Sequence, residues 1–203
     1  MTKEERTARK EYRKTFAKAL TAAAKPTRFQ TANGGLYDDR DGWFVAVGVL
    51  LYPDRTRTRL VAHIKPMAID PIFWEAMGLG EEWRRPLWKR HLGLALRDPP
   101  FAECELEDGN QPEQTASHIL KQAEKWASLT ADLSLGDYLD RCRAAENHPF
   151  RYFACIATTL LAMGHNEEAL ELCRAATAAG SNGGYHHDRR NFTDRLTKWI
   201  ERG

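Results

Sequence analysis

Along the chain the spacing of apolar positions runs from helical to alternating and back to helical. Between residues 3 and 24, Tyr12, Phe16, Leu20 and Ala23 recur at i, i+4, i+8 and i+11, one stripe of an α-helix. Lys10, Arg13, Lys14 and Lys18 ride beside it. Pro26 closes the segment, because the residue before a proline avoids the right-handed helical region. Residues 28–37 then read as a hairpin, with Asn33-Gly34 supplying the positive φ angles of a tight turn. Asp38-Asp39-Arg40-Asp41-Gly42 is a second turn signal. The run Trp43–Tyr52, β-branched and aromatic, is the strongest strand in the chain. After Pro53-Asp54 the pattern alternates: Arg57, Arg59, Val61, His63 and Lys65 share one face, Thr58, Leu60, Ala62 and Ile64 the other. That is a strand with one buried face.

Short helices interrupt the strands. Ile72–Met77 reads as one or two helical turns, and Trp83–Leu94 as a second short helix containing Pro86. Residues 101–107 alternate again, Phe101, Glu103, Glu105 and Glu107 against Ala102, Cys104 and Leu106. The acidic face of this strand is expected opposite the basic face of strand 57–65, where an opposite-charge pair contributes roughly 0.2–1 kcal/mol. From residue 112 onward the period is helical, with stripes at Ile119, Ala123 and Trp126, at Phe150, Phe153, Ala157 and Leu160, at Ala169, Leu170, Cys173 and Ala176, and at Phe192, Leu196 and Ile200. Strands followed by a run of helices define an α+β class. The expected architecture is an N-terminal helix, a four-stranded, mainly antiparallel sheet and a helical C-terminal half. Residues 1–110 would form the sheet domain, with a helical subdomain at 111–203 packed on it as one unit.

Two resemblances add to this pattern. In 153–176, Phe153, Ile156, Ala157 and Leu160 fall where a tetratricopeptide repeat places its first-helix residues, Gly164 at its turn, and Ala169, Leu170 and Ala176 in its second helix. A weaker echo relates Arg141–Ala145 to Leu172–Ala176. A stable array needs three or more repeats, so this reads as a helix hairpin within one domain. Residues 8–108, through Phe16 and Leu20, the run Leu36-Tyr37…Asp41-Gly42-Trp43-Phe44 and the long strands that follow, resemble an uncharacterised bacterial α+β domain family associated with polymorphic-toxin immunity proteins. That resemblance implies a small, non-catalytic, partner-binding protein.

Charge sharpens the picture by its distribution. The 203 residues carry a formal net charge of +2, yet residues 1–30 alone hold nine Lys and Arg against three Glu. A basic first helix is either a solvated face or a contact for nucleic acid, anionic lipid or an acidic protein. The longest apolar run, Trp43–Tyr52, is too short to span a bilayer. The charged start, Met-Thr-Lys-Glu-Glu-Arg, lacks the apolar segment of a secretory signal. No membrane association and a cytoplasmic location are expected. Cys104, Cys142, Cys155 and Cys173 show no C-x-x-C spacing, and read as reduced core residues.

Candidate chemistry is sparse. His186-His187-Asp188 is the only dense group of ligand types, but adjacent residues share no face, and a third ligand would have to come from His165 or His148. It reads as a polar loop, with no metal and no cofactor implied. His63, near Glu103 or Glu105, is the one arrangement for a hydrolase, a carboxylate orienting an imidazole; a charge ladder explains the same residues. The most unusual stretch is Trp83-Arg84-Arg85-Pro86-Leu87-Trp88-Lys89-Arg90-His91. Trp and Arg dominate binding hot spots, and interleaved with cations they also suit single-stranded nucleic acid. The expected binding residues are Trp83, Arg84, Arg85, Trp88 and Arg90, and the expected function is non-enzymatic binding of a protein partner. An immunity or adaptor protein that occludes a toxin or enzyme fits that description. The alternatives are a nucleic-acid-associated protein using the first helix and the hydrolase at His63.

Overall fold

The computed structural model describes residues 2–32, 34–52, 57–86, 98–107, 111–145 and 149–202. They form two compact units, Met1–Lys65 with Pro100–Asp132, and Pro66–Pro99 with Leu133–Gly203. The third helix thus belongs with the sheet, across the sequence-based division at residue 110.

In the first unit, α1 (Lys3–Ala24) starts at a capping box: the Glu5 amide donates to Thr2 Oγ1, and the Thr2 amide donates to Glu5 Oε2. Its Phe16, Leu20 and Ala24 are buried. The strands β1 (Gln30–Ala32), β2 (Gly35–Arg40), β3 (Trp43–Leu51), β4 (Arg57–Pro66) and β5 (Ala102–Glu107) follow one another across a single sheet in chain order. The pairs β1–β2, β2–β3 and β4–β5 are antiparallel. The sheet therefore has five strands rather than four. The hairpin at 28–37 contributes two of them, and its three-residue first strand is too short to show an alternation. The second turn also shrinks. Asp41 and Gly42, at φ 54° and 81°, are the whole loop, and Arg40 pairs with Trp43. Asp38 and Asp39 are strand residues.

Val45, Val47, Leu60, Ala62 and Ile64 build the sheet side of the core. The helix α3 (Pro112–Ser128), with Pro112 in its first turn, packs beside α1 and buries Ala116, Ile119, Ala123, Trp126 and Ala127. A 3-10 turn, Leu129–Asp132, ends the unit.

The second unit is helical: α2 (Ile69–Ala76), α4 (Leu135–Ala144), α5 (Phe153–Ala162), α6 (Asn166–Ala178) and α7 (Phe192–Ile200). Ser134 and Asp137 form a capping box at the start of α4. Fully buried Ala157 and Ala169 let α5 and α6 pack closely after a turn at Gly164. Phe73, Phe153, Tyr185 and Phe192 form a ring cluster with centroids 5.0–6.2 Å apart, edge-on except for the tilted Phe73–Phe192 pair. Gly183 is tight against this cluster, since a Cβ there would lie 2.8 Å from the Phe153 ring. The sequence 186–191 is not an irregular loop: β6 (His186–His187) pairs with β7 (Arg190–Asn191) around Asp188 and Arg189, both at positive φ.

Candidate binding surfaces

The buried stripe of α1 fixes which residues are left facing water. Lys10, Lys14, Lys18 and Lys25 are exposed, and among the described residues none of them, nor Arg13, enters an ion pair. Lys10, Lys14 and Lys18 follow one another at i, i+4, where like charges repel. Between the lysines lies an apolar floor. Ala17, Thr21 and Ala22 line a shallow groove of about 460 Å³ rimmed by Lys14, Lys18 and Lys25. At Ala17 this groove meets a second, of about 330 Å³, with Phe16 and Arg13 on the α1 side and Gly34, Val49, Leu50 and Leu51 on the other. Leu50 is 57% exposed, and Leu129 is the other exposed large apolar side chain among the described residues. The floor is apolar and the rim cationic.

The turn at 81–86 carries the described part of the sequence-predicted binding residues. Trp83–Pro86 is turn, not the start of a helix, because Pro86 disfavours a helical conformation at Arg85. Trp83 is half-buried with the Arg84 guanidinium 5.6 Å from its ring. Arg84 and Arg85 are exposed, and each already has a carboxylate: Arg84 pairs with Glu81 at 2.7 Å and Arg85 with buried Glu82 at 3.0 Å. Trp88 and Arg90, with Leu87 and His91, lie outside the described residues.

Strands β4 and β5 are neighbours with their charges opposed, as their alternation predicts. Arg57 stands across from Glu107 and Arg59 from Glu105, and the ion pairs run diagonally, Arg57 to Glu105 at 3.4 Å and Arg59 to Glu103. Tyr52 donates to Glu105 at 2.8 Å, which pushes its own pKa up. Lys65 is not part of this ladder. The register stops at Ala62–Ala102, and Lys65 is buried with its ammonium 5.5 Å from the Phe44 ring. The carboxylates a catalytic His63 would need, Glu103 and Glu105, are held by Arg59, Arg57 and Tyr52.

A further ion network went unread in the sequence. Buried Asp38 sits 2.9 Å from Arg40 and 3.6 Å from Arg28, and Arg40 reaches Glu124 of α3 at 3.0 Å. Burial works against the Arg40 charge, but the bonds to Glu124 and Asp38 outweigh it and raise the pKa. This ties β2 to α3 and is structural.

The remaining candidates do not converge. His187 contacts its neighbour Asp188 at 3.2 Å, His165 pairs with Glu168 at 3.7 Å, and His148 lies outside the described residues. Among the described residues no group of three or more His, Cys, Asp or Glu could hold a metal ion. The cysteines are free thiols, Cys142, Cys155 and Cys173 buried and Cys104 half-buried. Burial pushes the Cys173 thiol up to about 11, opposite to the shift a nucleophilic thiolate requires. No helix among the described residues is long and apolar enough to cross a membrane. Comparison with known protein families, curated proteins and solved structures returns no match.

Proposed function

We propose that this protein acts by binding and occluding another protein, as an immunity or adaptor protein does, and that the groove between α1 and β3 is the contact surface. The observation that carries this reading is exposed Leu50 on an apolar floor beside cations with no ion-pair partner among the described residues. Exposed apolar patches rimmed by polar residues mark interaction sites. The lining also favours protein over nucleic acid, because bases stack on exposed aromatic rings and the one ring among the described lining residues, Phe16, is buried. The turn at Trp83, Arg84 and Arg85 is a second candidate contact, favoured by its two exposed arginines above a half-buried tryptophan.

A photo-crosslinking amino acid in place of Leu50, introduced in the native host, tests the first reading. One discrete protein adduct is expected, lost when Lys14→Glu and Lys18→Glu are combined with it. Adducts with nucleic acid, or none at all, would overturn it.

A further inference from the structure

We propose that the groove takes an extended, acidic segment of the partner, added as a strand to the open edge of β3. This rests on the reading of the groove as a protein-binding surface and names what that surface accepts. The hairpin loop is two residues, and the β2–β3 register descends from Arg40–Trp43 to Leu36–Val47. Strand β2 begins at Gly35, packed so closely on β3 that a Cβ there would lie 2.6 Å from the Val47 carbonyl oxygen. Strand β3 continues to Leu51. Val49, Leu50 and Leu51 therefore overhang β2, and among the described residues no strand pairs with them on that side.

An overhanging apolar strand edge is a template for another chain. Natural sheets guard such edges with charged side chains, as β5 does with Glu103, Glu105 and Glu107. Val49-Leu50-Leu51 has no such guard, and it borders the groove that Arg13, Phe16 and Ala17 of α1 close from the other side. A strand entering there would find main-chain hydrogen-bonding groups on β3 and apolar contacts at Leu50 and Phe16. Its outward side chains would face Arg13 and Lys14, so carboxylates are the side chains that match. Main-chain pairing supplies the affinity in this mode of recognition, and alternate side chains supply the specificity.

Three end-capped fluorescent probes test this with the full-length protein by anisotropy: an alternating Glu-Val octapeptide, the same charges with every Val replaced by Pro, and an oligothymidylate of equal length. The alternating peptide should bind at least about tenfold more tightly than its proline counterpart, whose prolines carry no N–H and hold the chain near polyproline II. Its binding should protect the Val49 and Leu51 amides, which face the open edge, from hydrogen exchange and should weaken about tenfold in the Arg13→Glu, Lys14→Glu variant, whose far-ultraviolet dichroism stays unchanged. Equal binding of the two peptides would overturn strand addition. Tighter binding of the oligothymidylate, or no binding of the alternating peptide while the Leu50 crosslinker still captures a protein, would also overturn it. In that last case the protein-binding reading survives; an empty crosslink would remove that reading itself.

Discussion

The turn at Glu81–Arg85 and the solvent face of α1 are both rich in cations, and they differ in what answers the charge. In the turn, Arg84 has Glu81 and Arg85 has Glu82, each three residues back along the chain. On α1 and at its C-cap, Lys10, Lys14, Lys18 and Lys25 have no ion-pair partner among the described residues. Cation density in the sequence marks both stretches equally. A local carboxylate thus completes a basic motif internally, whereas a lysine stripe repelling itself along one helix leaves its charge to be neutralised from outside.

Charge reversal breaks or confirms this contrast most sharply. Lys14→Glu with Lys18→Glu should abolish capture of the protein partner, since like charges brought together in an interface cost several kcal/mol. Arg84→Glu with Arg85→Glu should change capture by less than about threefold, because those side chains already contact carboxylates. Quantitative crosslinking at Leu50 measures both. The opposite ranking would make the turn the contact surface.

A third set of cations, answered deep inside the fold, sets the scale for what pairing contributes. Removing the buried carboxylate in Asp38→Ala leaves Arg40, itself only 14% exposed, with Glu124 alone. Breaking a buried pair from one side costs roughly 3–5 kcal/mol. Here the lower end, about 3 kcal/mol, is expected, because Glu124 remains and is partly exposed. Urea denaturation measures it, and a loss below about 1 kcal/mol would place the network among ordinary surface pairs.

What could be read from sequence follows from how local each feature is. The β4–β5 charge ladder was legible, because alternation assigns faces and opposite charges assign neighbours. Lys65 broke the pattern because a register ends where geometry dictates, beyond what alternation records. Asp38 reads as a turn residue in the sequence, since an isolated carboxylate is rarely buried and Asp favours turns. That misreading hid the overhang as well. Once the loop is only Asp41-Gly42, pairing Arg40 with Trp43 puts Gly35 opposite Gly48, and Val49–Leu51 must run past it. The short helix at 83–94 failed at its described end because Pro86 outweighed the apolar spacing. The α1 cations were legible as a basic segment; that they flank an apolar groove depends on β3, some thirty residues away in sequence.

The smallest expected effect bears most directly on why the lysine stripe exists. In Lys14→Glu, two like-charge contacts at i, i+4 spacing, with Lys10 and Lys18, become opposite-charge contacts, while Glu11 at i−3 turns from an opposite to a like charge, a net gain of one reversed pair. Each such helix pair is worth about 0.2–0.5 kcal/mol, and the Glu-to-Lys order toward the C-terminus, realised by residues 14 and 18, is the better one. Lys14 is exposed and enters no ion pair among the described residues. The variant should therefore be more stable than the parent by about 0.5 kcal/mol, and the gain should shrink in high salt as screening weakens both contacts. Urea titrations near 0.05 M and 1 M salt read this directly. A helix whose stability rises when its lysine is removed, while partner capture falls, holds that lysine for binding, the trade expected at functional surfaces. A stability loss on Lys14→Glu would mean that the stripe serves the fold, and the contrast with the turn would collapse.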